Sequence, residues 1–174
     1  MLAILLSLLS IQPPIVLYDF ETASDLNAWK IVNDGVMGGR SSGEFTQTKD
    51  GHGQFKGKVS LQNNGGFTSV RYAFETKKIE GAKTFKIRLK GDGKSYQFRV
   101  KEQSTDQVAF KYEFQTTGAW ELIEIPLGEM TPTFRGMRPN QPNYTAKILS
   151  EIGFLIANKK EEQFELLVEK IWLE

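Results

Sequence analysis

The sequence contains no cysteine and one histidine, His52. Without thiols there is no disulfide framework, no thiolate zinc or iron–sulfur site and no cysteine nucleophile. A lone imidazole excludes any multi-histidine metal site. Excess charge is also missing. The 22 Lys and Arg stand against 21 Asp and Glu, for a formal net charge of +1. A chain so balanced is neither a polycation for nucleic acid nor a disordered acidic tail. No apolar run reaches the roughly 20 residues that a membrane-spanning helix needs. Long amphipathic periodicity and internal repeats are absent too, and no shift in composition marks a second domain.

What remains is 174 residues, 40% hydrophobic and 25% charged, enough for one well-cored domain without disulfides. The expected division is an apolar leader over 1–14, MLAILLSLLSIQPP, followed by a domain over 15–174. The leader has the length of a secretory apolar region, which implies an exported or membrane-associated protein of bacterial type. The alternatives are a tail or a first strand. No Arg or Lys precedes Lys30, so neither the basic flank of a signal nor an Arg-rich mitochondrial presequence is visible.

Alternation with period two dominates the rest. TFKIRL sets Phe85, Ile87 and Leu89 against Lys86 and Arg88; YQFRV and VAFKYEF repeat the pattern. Further runs are IVLYDF, FKGKVSL, VRYAF, WELIEI, IGFLI and FELLVEKIWL. Turn signals at Asp34-Gly35, Gly65-Gly66, Gly91-Asp92-Gly93 and Thr117-Gly118 separate them. A capped helical turn is expected around Ser24 to Trp29, with Ser24 or Asp25 as the cap, and a second short turn near Ala146 to Glu151. About nine strands with so little helix predict an all-β fold, an antiparallel β-sandwich.

The densest glycine cluster is NDGVMGGRSSGEF, residues 33–45. It is not a phosphate cradle: GVMGGRSS has the wrong spacing and an arginine where a P-loop needs lysine, and GVMGG is not G-x-G-x-x-G. His52 lies in a turn, and no G-x-S-x-G elbow supplies a serine for it. Asp34 and Asp92, a conceivable carboxylate pair, both sit in Asp-Gly turns, where aspartate bonds its own backbone. No D-x-[DN]-x-[DN]-G calcium loop is present. We therefore expect no catalytic residue, no metal and no cofactor. For sugar binding, the aromatics nearest to loops are Trp29, Phe67, Phe134 and Tyr144, against the commoner role of capping a core.

One stretch is strongly basic. KTFKIRLKGDGKSYQFRVK, residues 83–101, carries Lys83, Lys86, Arg88, Lys90, Lys94, Arg99 and Lys101 against Asp92, a net of 7 − 1 = +6. Read as a hairpin, it places Lys86, Arg88, Arg99 and Lys101 on one face. Such a face suits peripheral contact with an anionic membrane or an acidic partner, or is simply a solvated outer face. Nucleic acid is not expected, because the interleaved aromatics point to the core.

Taken together, WKIVNDGVMGGRS, GKVSLQNNGGFTSVRY, RLKGDGKSYQFRV, FQTTGAWELIEIPL, FRG and IGFLI…FELLVEKI resemble the complex I intermediate-associated protein 30 family. The resemblance runs over nearly all of the chain after the leader. It implies a galactose-binding-like jelly roll and a non-enzymatic assembly factor, chaperone-like, that binds a protein such as a membrane-complex subunit or assembly intermediate. The alternative is an exported carbohydrate-binding module. The implied binding loops comprise Asp34, Gly35, Met37, Gly38, Gly39, Arg40 and Ser41; Gly65, Gly66, Phe67 and Arg71; and Gly91, Asp92, Gly93 and Tyr96. Met37 is expected to be exposed for recognition, and Arg40 or Arg71 to pair with Asp34 or Asp92. Two features depart from the family pattern: NKKEEQFEL stands where a Gly-Pro is usual, and the mitochondrial presequence is missing.

Overall fold

Twelve strands follow the alternation. A computed structural model describes residues 13–23 and 25–174, without the side chains of 36 and 37. Residues 1–12 of the expected leader over 1–14, and the candidate cap Ser24, lie outside the described residues. The strands are β1 Ile15–Asp19, β2 Trp29–Asn33, β3 Ser42–Gln47, β4 Gly53–Val59, β5 Thr68–Lys78, β6 Thr84–Lys90, β7 Ser95–Lys101, β8 Ala109–Gln115, β9 Trp120–Pro126, β10 Thr131–Thr133, β11 Ile148–Ile156 and β12 Glu162–Leu173. Every pairing is antiparallel. The first sheet runs β3-β4-β12-β6-β9, with β1 also on β12; the second runs β10-β8-β7-β11-β5-β2. The expected two-sheet antiparallel sandwich is what the chain forms, and no described residue is α-helical.

Parity decides which side chains meet between the sheets. Phe85, Ile87 and Leu89 from β6 face Tyr96, Phe98 and Val100 from β7, all buried. The rings of Phe85 and Phe98 lie 5.1 Å apart across the interface, edge to face. The run FELLVEKIWL does not alternate strictly, and β12 shows why. Phe164, Leu166 and Val168 point inward, a bulge between Val168 and Lys170 absorbs one residue, and Ile171 and Leu173 resume the inward face. A bulge changes parity without ending the strand.

Two expectations are corrected and a third is met. β6 and β7 do not form a hairpin: β6 pairs with β12 and β9, whereas β7 pairs with β8 and β11 in the other sheet. The basic stretch therefore has no common face. Lys86 joins Glu124 and Glu174 on the first sheet, and Lys101 joins Glu151 on the second. The short turn expected over 146–151 does not form: Ala146 stands at φ 56° and the chain enters β11 at Ile148. The expected helical turn after Ser24 is a single 3-10 turn, Leu26–Ala28, capped by Asp25, whose carboxylate accepts from the Asn27 N–H.

Candidate binding face and the loops that frame it

Asp34 opens a 3-10 turn, Asp34–Met37, and turns its side chain inward. It is 3% exposed. One carboxylate oxygen accepts from the Ser41 N–H at 3.0 Å; the other accepts from Gly66 at 2.7 Å and Phe67 at 3.3 Å. Burial pushes its pKa upward. The hydrogen bonds from Ser41, Gly66 and Phe67 outweigh that and hold it below the ordinary aspartate value. The glycines are what let the two loops close on this carboxylate. A Cβ on Gly39 would land on the Asp34 carboxyl group, and one on Gly65 would sit 2.6 Å from its Oδ2.

Asp34 is thus a buried brace between the first and second loops, with no arginine beside it. The expected pairing of Arg40 or Arg71 with Asp34 or Asp92 does not form. Arg40 is exposed, and Arg71 lies on the outer face of β5. Gly35 is exposed with open space around it, and Gly38 takes φ 83° as the turn's cap. Ser41 is buried and exchanges hydrogen bonds with the Ser60 backbone. Met37 ends the turn, but its side chain lies outside the described residues, and with it the expectation of an exposed recognition methionine. Asn33 was missed in the sequence. Its amide oxygen accepts from Gly43 N–H at 3.1 Å and from the Thr68 hydroxyl at 2.5 Å, tying β2, β3 and β5 together.

The third loop is braced by a second aspartate. Asp92 accepts from the Tyr96 hydroxyl at 2.9 Å, from Lys94 Nζ at 2.6 Å and from the Glu165 N–H at 3.0 Å. It therefore fixes the crossing from β6 in one sheet to β7 in the other. Burial, with the Asp92 charge beside it, raises the Tyr96 phenol well above its usual range. Gly91 packs against Thr116, and Gly93 adopts φ 81°. Among the described residues, no three His, Cys, Asp or Glu side chains gather in a metal-binding group. His52 packs its ring against Trp120 at 4.6 Å.

Between the second and third loops the outer face of the second sheet opens as a cleft of about 970 Å³. Phe67, Gly66, Lys94 and Asn158 stand on its rim, and Gln97, Arg99, Lys111 and Glu113 form its floor. Asn158 donates to the Ser95 carbonyl oxygen at 3.1 Å, holding the β11–β12 turn over the edge. Gly136, in a tight turn where Arg135 and Gly136 both have positive φ, also lines it. Of the aromatics considered for sugar binding, Trp29 and Tyr144 are buried in the core, while Phe67 and Phe134 are half-buried.

The outer face of this sheet carries an unusual row, of which Arg99 and Lys111 lie on the cleft floor. Lys30, Arg71, Gly153, Arg99 and Lys111 are successive cross-strand partners over β2, β5, β11, β7 and β8. Like charges directly opposite one another are unfavourable, yet among the described residues none of these four cations forms a salt bridge. Arg99 donates from Nε and one Nη to Gln97 Oε1 at 3.0 and 2.7 Å, and Gln97 Nε2 in turn reaches Glu113 at 3.5 Å. Burial, then the charge of Arg71, pushes the Arg99 guanidinium down to about 10. The sequence reading grouped Arg99 with β6 cations and passed over Gln97, Lys111 and Gly153. The parity of YQFRV and AFKYEF already set those polar side chains outward; only the strand order was missing.

The fold and its open sheet face define a jelly roll of the kind found in carbohydrate-binding modules. The family 11 carbohydrate-binding module of the cellulosomal cellulase Lic26A-Cel5E of Clostridium thermocellum superposes with a TM-score of 0.68 at 18% identity, over 92% of this chain and 94% of that one. The Clostridium thermocellum family 11 module in complex with a β-1,3-1,4-mixed-linked tetrasaccharide gives 0.66, also at 18% identity and with the same coverage. By sequence, the chain belongs to the complex I intermediate-associated protein 30 family, whose model matches residues 18–168. The Schizosaccharomyces pombe uncharacterized protein C9E9.15 is 28% identical over 167 residues, spanning 82% of this chain and 76% of its own.

Proposed function

We propose that the protein is a non-enzymatic binding module of the assembly-factor type, which holds a segment of a protein partner against the cleft on the second sheet. A subunit or assembly intermediate of a membrane complex is the partner that the family description suggests. The observation that carries the reading is the chemistry of the cleft floor. Sugar-binding surfaces present aromatic faces on which rings stack. Here Phe98, Phe154 and Phe110 turn into the core, and the floor offers guanidinium, ammonium, amide and carboxylate groups instead. The braces at Asp34 and Asp92 keep the flanking loops ordered before any partner arrives, which lowers the entropic cost of binding.

Carbohydrate binding is the second reading, favoured by the shared fold and by the half-buried Phe67 on the rim. One comparison separates the two: a glycan array that includes mixed-linked β-glucan oligosaccharides, run beside cross-linking capture from membranes of the native cell. The protein-binding reading expects a specific membrane-complex subunit in the capture and no glycan bound above background. Micromolar binding of a neutral oligosaccharide, with no cross-linked protein, sinks it.

A further inference from the structure

The Arg71–Gly153–Arg99–Lys111 row carries three cations, none of them in a salt bridge among the described residues; Glu113, the carboxylate on the cleft floor, is reached by Gln97. A partly buried guanidinium costs free energy unless it is paired and hydrogen-bonded. Arg99 has only the neutral amide oxygen of Gln97, and Arg71 repels it from across Gly153. The glycine is part of the arrangement, because a Cβ there would meet the Val70 carbonyl oxygen and crowd the Arg71 side chain at 3.4 Å. Gln97 spends Nε and one Nη of Arg99 and leaves the second Nη without a partner among the described residues. Guanidinium matches the planar, two-oxygen geometry of a carboxylate better than that of any neutral group. The neighbouring row on the far side is self-neutralised, since Lys101 pairs with Glu151. On the cleft floor the cations without a salt bridge among the described residues are Arg99 and Lys111, with Arg71 next along the sheet and Lys159 on the cleft wall.

We propose that this strip of cations is a carboxylate-binding site that takes the acidic side chains of an extended peptide segment, with Arg99 as the principal contact and Arg71 and Lys111 on either side. The proposal rests on the protein-binding reading above and names the chemistry of the partner. An extended acidic peptide crossing the strands suits the strip: strands stand about 5 Å apart, with Lys111 one strand from Arg99 and Arg71 two strands away across Gly153. The floor has no ring on which a uronic-acid sugar would stack.

The test titrates fluorescein-labelled hexaglutamate, hexaglutamine and oligogalacturonate into the full chain, read by anisotropy at low salt. The same titrations are run on Arg99→Gln, Lys111→Gln and, as a control on the other sheet, Lys56→Gln. Expected are saturable binding of hexaglutamate, none of hexaglutamine, and an affinity about tenfold to a hundredfold weaker in Arg99→Gln. Lys56→Gln should bind as wild type. Thermal melts accompany each variant, and hexaglutamate should raise the melting temperature of wild type but not of Arg99→Gln. Should Arg99→Gln fail to fold, Lys111→Gln carries the same test from a position nearer solvent. Equal hexaglutamate affinity in wild type and both floor variants overturns the site. Binding of oligogalacturonate alone overturns the peptide assignment. If hexaglutamate does not bind but a captured partner persists equally in wild type and Arg99→Gln, the strip is not the site and the protein-binding reading survives. A neutral glycan bound with no partner captured removes both.

Discussion

Asp34 and Arg99 are two charges drawn out of water beside one cleft, and the protein treats them in opposite ways. Asp34 accepts three backbone N–H bonds from two loops, and glycines on both sides clear the space for it. Arg99 receives one neutral amide oxygen and a like-charged neighbour. A buried charge whose hydrogen-bonding capacity is filled by its own chain holds the fold together. One left partly empty is a cost that the fold carries, and it is sensible only where something else completes it. The same argument places Asp92 with Asp34: three donors converge on it, and it anchors the crossing between the sheets.

The comparison is broken most directly at Asp34. Asp34→Ala leaves three loop N–H groups without their acceptor and should cost about 3–4 kcal/mol, read by urea denaturation. A loss below about 1 kcal/mol, the scale of an ordinary surface change, would mean that water replaces the carboxylate easily and that the brace is incidental. The pH dependence sharpens the point. The folded carboxyl has a depressed pKa, so its contribution is complete above the unfolded value of about 4 and is lost as pH falls through the lower folded value. The stability gap between wild type and Asp34→Asn should be widest at neutral pH and should close in acid. A gap that is flat with pH would rule out charge as the reason.

Gly39→Val comes next, at about 1–3 kcal/mol. Its cause is not backbone strain, since positive φ belongs to Gly38 and not to Gly39; the added side chain meets the Asp34 carboxyl group. In the Asp34→Ala background the penalty should therefore shrink, and a double-mutant cycle measures by how much. Full additivity would show that the two positions do not touch energetically. Tyr96→Phe is smaller, about 1 kcal/mol, because the hydroxyl has Asp92 and the Glu165 carbonyl oxygen as acceptors, while Asp92 keeps two other donors.

Alternation made nine of the strands legible, and the sandwich with them. β3 was legible only as a strand at Phe45, and β2 and β10 escaped for physical reasons. β3 and β10 lie at sheet edges, where one flank needs no partner and Ser42, Gly43 and Pro132 are tolerated; β2 is a short edge strand whose Trp29 reads equally well as the end of a turn. The order of strands was not legible at all. Gly91-Asp92-Gly93 reads as a hairpin turn, yet Asp92 bonds to Glu165 of β12 and directs the chain into the other sheet. That single misreading joined Arg99 to the wrong cations and hid the cleft floor. The glycine-rich loop, by contrast, was legible as a shaped loop pinned by Asp34, because an aspartate among glycines has few other uses. Its partners, Gly66 and Phe67, lie more than thirty positions on and needed the fold.

The smallest expected effect has the opposite sign and tests the other half of the comparison. Arg99→Met keeps the length of the stem, removes the guanidinium and relieves the repulsion from Arg71. If Arg99 served the fold, the change would leave the Gln97 amide oxygen without its donors and lower stability. If Arg99 instead stands uncompensated, its loss should leave stability unchanged or raise it by about 1 kcal/mol, which is about 2–4 °C in melting temperature for a domain of this size. Salt provides an internal check. Chloride screens the Arg71–Arg99 repulsion in wild type, so the advantage of Arg99→Met should be largest at low ionic strength and should fade as salt is added. A variant that melts several degrees below wild type at every salt concentration would make Arg99 a second brace like Asp34 and would end the distinction drawn between them.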